Sequence, residues 1–279
     1  MAKKNMNEMS FMDHLEDLRW MLIRSTIVIL ILSAVSYLFI DFIFETLIFG
    51  AKDPDFITYH FFCEATKFFG LEDSTACATQ FSFIIQNTEV GGQFSMFIWT
   101  CITAGFILGF PYILWEIWKF ISPALYEKER KNARAFIIVS SLLFFLGILF
   151  GYYVIIPLSV NFFGTFIVSD IIQNQFSIDS YISMVKTSVI ASGLVFELPI
   201  IIYFLAKMGL VSAPFLRNYR RYAIVIILII AAIVTPPDIV SQVIVSIPIL
   251  ILYEVSIFIA ARVNKSKPEE KEVNNEQSS

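Results

Sequence analysis

The sequence predicts an all-α, polytopic membrane protein with six membrane-crossing helices, the fifth and sixth short, and both termini cytoplasmic. Three observations predict it. Of 279 residues, 57% are hydrophobic and only 16% charged, whereas a soluble domain sits near half apolar and a quarter charged. Apolar stretches recur at about 20–44, 94–120, 135–157, 181–206, 222–235 and 239–261, and roughly 20 residues of helix cross a hydrocarbon core. Of the 20 Lys and Arg, all but Lys52, Lys67 and Lys186 fall on connections of one side, which orients the chain.

The first stretch is too long for the apolar region of a secretory signal and lacks a small-x-small cleavage site, so it is expected to stay as a span. The fifth, 222–235, reaches only about 21 Å of a ~30 Å core before Pro236 and Pro237 stop the helix. Two readings compete there, a re-entrant hairpin and two short spans in a thinned bilayer; hydropathy leans to the short spans. The resulting organisation is a cytoplasmic segment 1–19, a membrane domain 20–262 and a tail 263–279 whose Lys/Glu/Asn/Ser composition reads as disordered. Outer loops lie at about 45–93 and 158–180, cytoplasmic loops at about 119–134 and 207–221. The first outer loop is long and rich in Phe, which points to short amphipathic pieces at the interface or a folded cap.

Composition also excludes. A net charge of −4 offers no basic face for nucleic acid. With 2 His and 3 Cys there is no Cys/His metal spacing, and no phosphate loop, G-x-S-x-G or H-E-x-x-H occurs. No enzyme, metal or cofactor is expected. Cys63 and Cys77 share the first outer loop, outside the membrane where disulfides persist; a bridge would contribute roughly 3 kcal/mol by chain entropy. Two free thiols among Phe side chains is the alternative. Cys101 reads as a small apolar residue.

An ionisable group inside a span costs about 3 kcal/mol on insertion scales, so each needs a reason. Glu197, in SGLVFELPI, precedes Pro199, which bends the helix; its carboxylate either faces a wet cavity or bonds a neighbouring helix. Asp238, after the double proline, is either functional or the N-cap of the last helix. Glu254 lies in the last stretch, and Glu116, between tryptophans, reads as interfacial. Acids cluster at the cytoplasmic mouth, in HLEDLR (His14 to Arg19) and in ALYEKER with Glu127 and Glu129. They either bind a basic peptide through Arg–carboxylate pairs or form a solvated face.

Taken together, HLEDLR, WKFISPALYEKER, GLVFELP, TPPDIVSQ and IPILILYE resemble the TatC family, in family order and over about residues 10–262. The resemblance implies the receptor subunit of the twin-arginine translocase of the bacterial cytoplasmic membrane, driven by proton-motive force. Its implied partners are TatA- and TatB-type single-span subunits, twin-arginine signal peptides of folded cargo, and further copies of itself. By motif, Glu129 is implied to pair with a signal-peptide arginine, with Asp17, Arg19, Phe120 and Pro123 completing the cytoplasmic site. Glu197 corresponds to the intramembrane glutamate and Asp238 to the acid of TPPD, and the resemblance favours two short spans. Asp17 stands where the family usually has Glu, and Glu116 where Gln is frequent. A proton-coupled small-solute transporter using Glu197 and Glu254 is the alternative, but the kinks expected at Pro111, Pro199 and Pro248 show no pairing between two halves.

Overall fold

The computed structural model describes residues 11–68, 83–122, 133–169, 171 and 174–276. In chain order these form α1 (Phe11–Tyr37), a π-helical turn (Phe42–Ile48), a 3-10 turn (Gly50–Lys52), α2 (Ile57–Phe68), β1 (Ile84–Gln86) and α3 (Gly92–Ile121). Then come α4 (Ala133–Phe150), a second π-helical turn (Gly151–Ile155), α5 (Ile156–Thr165), β2 (Gln175–Ser177) and α6 (Ile178–Phe196). The chain continues through α7 (Leu198–Met208), α8 (Ala213–Asn218), α9 (Arg220–Val234) and α10 (Ile239–Glu276). Among the described residues, five segments are long and apolar enough to cross a membrane: His14–Tyr37, Gly92–Ile121, Arg134–Thr165, Ile178–Met208 and Ile239–Asn264. Helix α9, 15 residues, spans about 22 Å at 1.5 Å per residue and is short of a ~30 Å core.

Prolines shape the long segments. Pro157 cannot donate to the carbonyl four residues back, and its ring crowds it. The π-helical turn immediately before α5 loosens the spiral there, so the helix runs past Pro157 to Thr165. Pro199 instead divides the fourth segment: α6 stops at Phe196 and α7 starts at Leu198, with Glu197 between. Gly209, at φ 82°, ends α7 in the left-handed conformation, where Leu210 N donates back to Leu205 O at 2.9 Å.

Two compact units result, one of Met1–Thr46 with Asn87–Leu142, the other of Leu47–Gln86 with Leu143–Ser279. In the first, α1 packs antiparallel along α3. Gly105 permits the approach, since a Cβ there would lie 2.7 Å from both Ile29 O and Ser33 N. Farther along, Tyr37 meets Phe97 edge-on, with centroids 5.5 Å apart.

In the second unit, the G-I-L-F-G run from Gly147 to Gly151 brings α4 and the following π turn against α6. The Ser192 hydroxyl donates to Gly147 O at 2.5 Å. The core of this unit is Ile202 and Ala206 of α7, Ile227 and Ala231 of α9, and Val245, Ile249 and Ala260 of α10. Strand β1 pairs in parallel with β2, Ile85 opposite Phe176, tying the two inter-span loops together. Tyr59 and Tyr181 donate to Ala51 O and Ile48 O, each at 2.8 Å. Burial, then the neighbouring Tyr181, push the Tyr59 phenol above its ordinary range. Cys63 is disulfide-bonded, Cys101 is a buried free thiol, and Cys77 lies outside the described residues.

Glycine contacts of this kind leave no room for a methyl group. Gly147→Ala puts a Cβ 2.6 Å from Ser192 O, and overpacking of that sort costs about 1–3 kcal/mol. Thermal unfolding in detergent should show a clear loss of stability for Gly147→Ala. Gly91→Ala, where a Cβ meets nothing within 4 Å, should unfold like the parent.

Candidate functional site

In the first unit, the start of α1 and the end of α3 form one cluster around Glu116. This carboxylate is only 4% exposed, and a buried charge survives only when paired and hydrogen-bonded. Tyr112 OH donates to Oε1 at 3.2 Å, Lys119 Nζ to Oε1 at 3.3 Å, and Arg24 Nη1 to Oε2 at 3.5 Å. Tyr112 and Lys119 come from the adjoining turns of α3, four residues before and three after, which places them on the same face. Arg24 comes from α1, so the acid joins the two helices. Ten residues before Arg24, His14 stacks on Phe120 with centroids 4.5 Å apart. On the other side of the α3 end, Trp118 stacks on Phe136 of α4 at 4.7 Å.

Of the residues expected in the cytoplasmic site, Phe120 is therefore brought against the HLEDLR segment. Asp17 and Arg19 are exposed on α1. Arg19 lies 3.9 Å from Glu16, with both side chains more than half exposed, an ion pair worth little in water. Its guanidinium also sits 5.8 Å from the Trp20 ring. Pro123 and Glu129 lie outside the described residues. The sequence reading placed Glu116 at the interface; the structure gives it a buried linking role. The available signal was Arg24, a basic residue already inside the first apolar stretch.

In the second unit, Glu197 is 7% exposed and occupies the junction of α6 and α7. Its carbonyl accepts from Ile200 N and Ile201 N at 3.0 Å, starting the new helix. Glu254 pairs with Arg220 at 2.6 Å, so its carboxylate joins α10 to the start of α9. A cavity of about 750 Å³ is walled by α5, β2, α6 and the turn after α9, with Ser159, Tyr181, Ser183, Thr187 and Thr235 among its lining.

Asp238 acts as the cap of α10. Its Oδ2 accepts from Ser241 N at 2.8 Å and Ser241 Oγ at 2.9 Å. Burial pushes its carboxyl up, but the bonds from Ser241 N, Ser241 Oγ and Val240 N outweigh that and hold it below the usual carboxylate value. A depressed folded-state pKa stabilises above the unfolded value and is lost as pH falls through the folded one. Asp238→Ala should therefore cost about 1 kcal/mol of stability at neutral pH, the usual worth of a cap, with the deficit vanishing in strong acid. Asp238→Ser should retain most of it, as followed by thermal unfolding at several pH values.

Comparison with known proteins places these features in a family. The sequence model described as "Sec-independent protein translocase protein (TatC)" matches residues 13–248. The Sec-independent protein translocase protein TatC of Blattabacterium sp. subsp. Periplaneta americana (strain BPLAN) is 42% identical over 95% of this chain and 100% of its own length. That of Aquifex aeolicus (strain VF5) is 35% identical over 94% of this chain and 98% of its own. A crystal structure of the twin-arginine translocase receptor TatC superposes with a TM-score of 0.67 at 34% identity, covering 90% of this chain and 99% of that one. A second, in DDM, gives 0.68 at 34% identity over 88% and 99%. Both the relatives and the fold identify this chain as a multi-pass membrane protein of the TatC family.

Proposed function

We propose that this chain is the receptor core of a Sec-independent translocase in a bacterial cytoplasmic membrane. It crosses six times with both termini cytoplasmic, the orientation that the distribution of Lys and Arg supports. It binds the paired arginines of signal peptides on folded cargo, assembles with TatA- and TatB-type single-span subunits and with further copies of itself, and works on the proton-motive force without enzymatic chemistry of its own. The observation that carries the reading is the junction of two motif segments: HLEDLR opens α1, WKFI closes α3, and His14 stacks on Phe120 between them.

Guanidinium groups stay charged at any physiological pH and present a planar fork to carboxylates, so Lys is a poor substitute. A charge-assisted pair contributes about 1.5–3 kcal/mol, less when solvent-exposed. One pair is thus too little for useful affinity. In this reading Glu129 supplies it, Asp17 and Arg19 frame it, Phe120 and Pro123 shape the loop, and the apolar part of the peptide adds the rest along the bundle. Glu197 and Asp238 serve later steps of translocation.

Binding of a labelled signal peptide to the purified protein in detergent tests this. Glu129→Ala should weaken an Arg-Arg peptide on the order of tenfold, about 1.4 kcal/mol, and a Lys-Lys peptide should bind poorly to both proteins. Equal binding in all four combinations would overturn the receptor reading.

Glu197→Ala should leave that docking unchanged and reduce export of cargo in cells. Export at the parental level in Glu197→Gln would mean that the carboxylate's charge is not required there.

A further inference from the structure

Two contacts fasten the start of α1 to the end of α3: the His14 ring on Phe120 and the Arg24 guanidinium on Glu116. On α1 the two contacts are ten residues apart, about 15 Å, whereas Phe120 and Glu116 are only four apart, about 6 Å. Side chains close the difference of about 9 Å. Each Cα–Cβ bond leans toward the N-terminus of its own helix, and α1 and α3 run antiparallel. Arg24 therefore reaches toward the α3 end, and Glu116 leans back to meet it.

His14, Asp17, Met21 and Arg24 are spaced three, four and three residues apart, which puts them on one stripe of α1. The first and last members of that stripe touch α3. Asp17 lies between them and is exposed. Its distance from Phe120 thus depends on how far α1 is slid along α3. A ring stack tolerates sliding, but an ion pair between a carboxylate and a guanidinium is directional. Glu116 Oε1 is already held within α3 by Tyr112 and Lys119, which leaves Oε2 as a fixed point for Arg24.

We propose that Glu116 and Arg24 are positioning residues for signal-peptide recognition: their pair fixes the register of α1 on α3 and so sets where the Asp17 carboxylate stands. The inference rests on the receptor reading above. A slip of one turn would move Asp17 by about 5.4 Å, farther than a hydrogen bond can follow. Loss of register weakens a planar guanidinium fork, which needs its carboxylate in place, more than it weakens the point charge of a Lys ammonium. Selectivity for Arg over Lys is therefore the property the pair controls.

The test uses the full-length chain in detergent with labelled signal peptides carrying Arg-Arg or Lys-Lys. Combining Arg24→Leu with Glu116→Leu removes both charges together, so no buried carboxylate is stranded, and apolar replacement of such a pair leaves stability little changed. This double variant should unfold thermally like the parent and bind the Arg-Arg peptide at least about fivefold more weakly, with Lys-Lys binding unchanged. Glu116→Gln, which keeps an acceptor for Tyr112 and Lys119 but loses the charge that faces Arg24, should show the same loss, and Arg24→Lys should restore most of the preference. Asp17→Asn should weaken Arg-Arg binding in the parent and add nothing in the double variant, because the two changes act on one unit. An Arg-Arg preference retained in the double variant, equal losses for both peptides, or a full Asp17→Asn effect in that background would overturn this inference alone. Absence of any Arg-Arg preference in the parent would overturn the receptor reading and this inference with it.

Discussion

A backbone amide in hydrocarbon has no water to fall back on, and that constraint governs the rest of this protein. Every carbonyl must find its donor inside the chain, which restricts the spans to helix. Prolines then become the points where the helix must adjust, because each removes a donor. The chain answers in three ways. It loosens into a π turn ahead of Pro157, restarts the helix at Glu197 ahead of Pro199, and ends outright at Pro236 and Pro237, with Thr235 N donating to Ala231 O at 2.8 Å as the last bond. Glu197 and Asp238 sit at the second and third of these adjustments.

Hydroxyl side chains obey the same constraint. Ser33, Ser36, Thr103, Ser159, Thr235 and Ser256 each donate to the carbonyl four residues back, at 2.7–2.8 Å. Bonded that way, a hydroxyl is satisfied locally and costs its helix little. Ser192 differs, since its hydroxyl crosses to Gly147 O on another helix. The glycine on the far side makes that reach possible, so a polar bond and a small-residue contact reinforce one another at a single crossing.

Periodicity and breakers in the sequence located the long apolar helices and the bend at Pro199, and offered the helix cap as one of two roles for Asp238, because each depends on residues within a turn or two. The β1–β2 pairing escaped, as it joins segments some ninety positions apart through strands of three residues each, too short for alternation to register. The continuation past Pro157 escaped because a proline reads as a stop unless the preceding turn is known to loosen. The burial of Glu116 escaped for a different reason. Flanking tryptophans describe a depth in the membrane, whereas burial is decided by which helix packs alongside, and no local pattern specifies α1.

Four acids of one chain therefore have four different environments. Glu116 is buried and holds α1 to α3 through Arg24, and Glu254 holds α9 to α10 through Arg220 with both side chains partly exposed. Asp238 spends one oxygen on the start of a helix. Glu197 is as buried as Glu116, but its place is a helix junction, where the backbone has already departed from regular spacing. Acids that fasten one helix to another cannot change partner without loosening the bundle. Glu197 instead sits where α6 ends and α7 begins, and its own backbone carbonyl, accepting from Ile200 N and Ile201 N at 3.0 Å, starts the second helix, so the residue marks the point at which the segment changes direction ahead of Pro199.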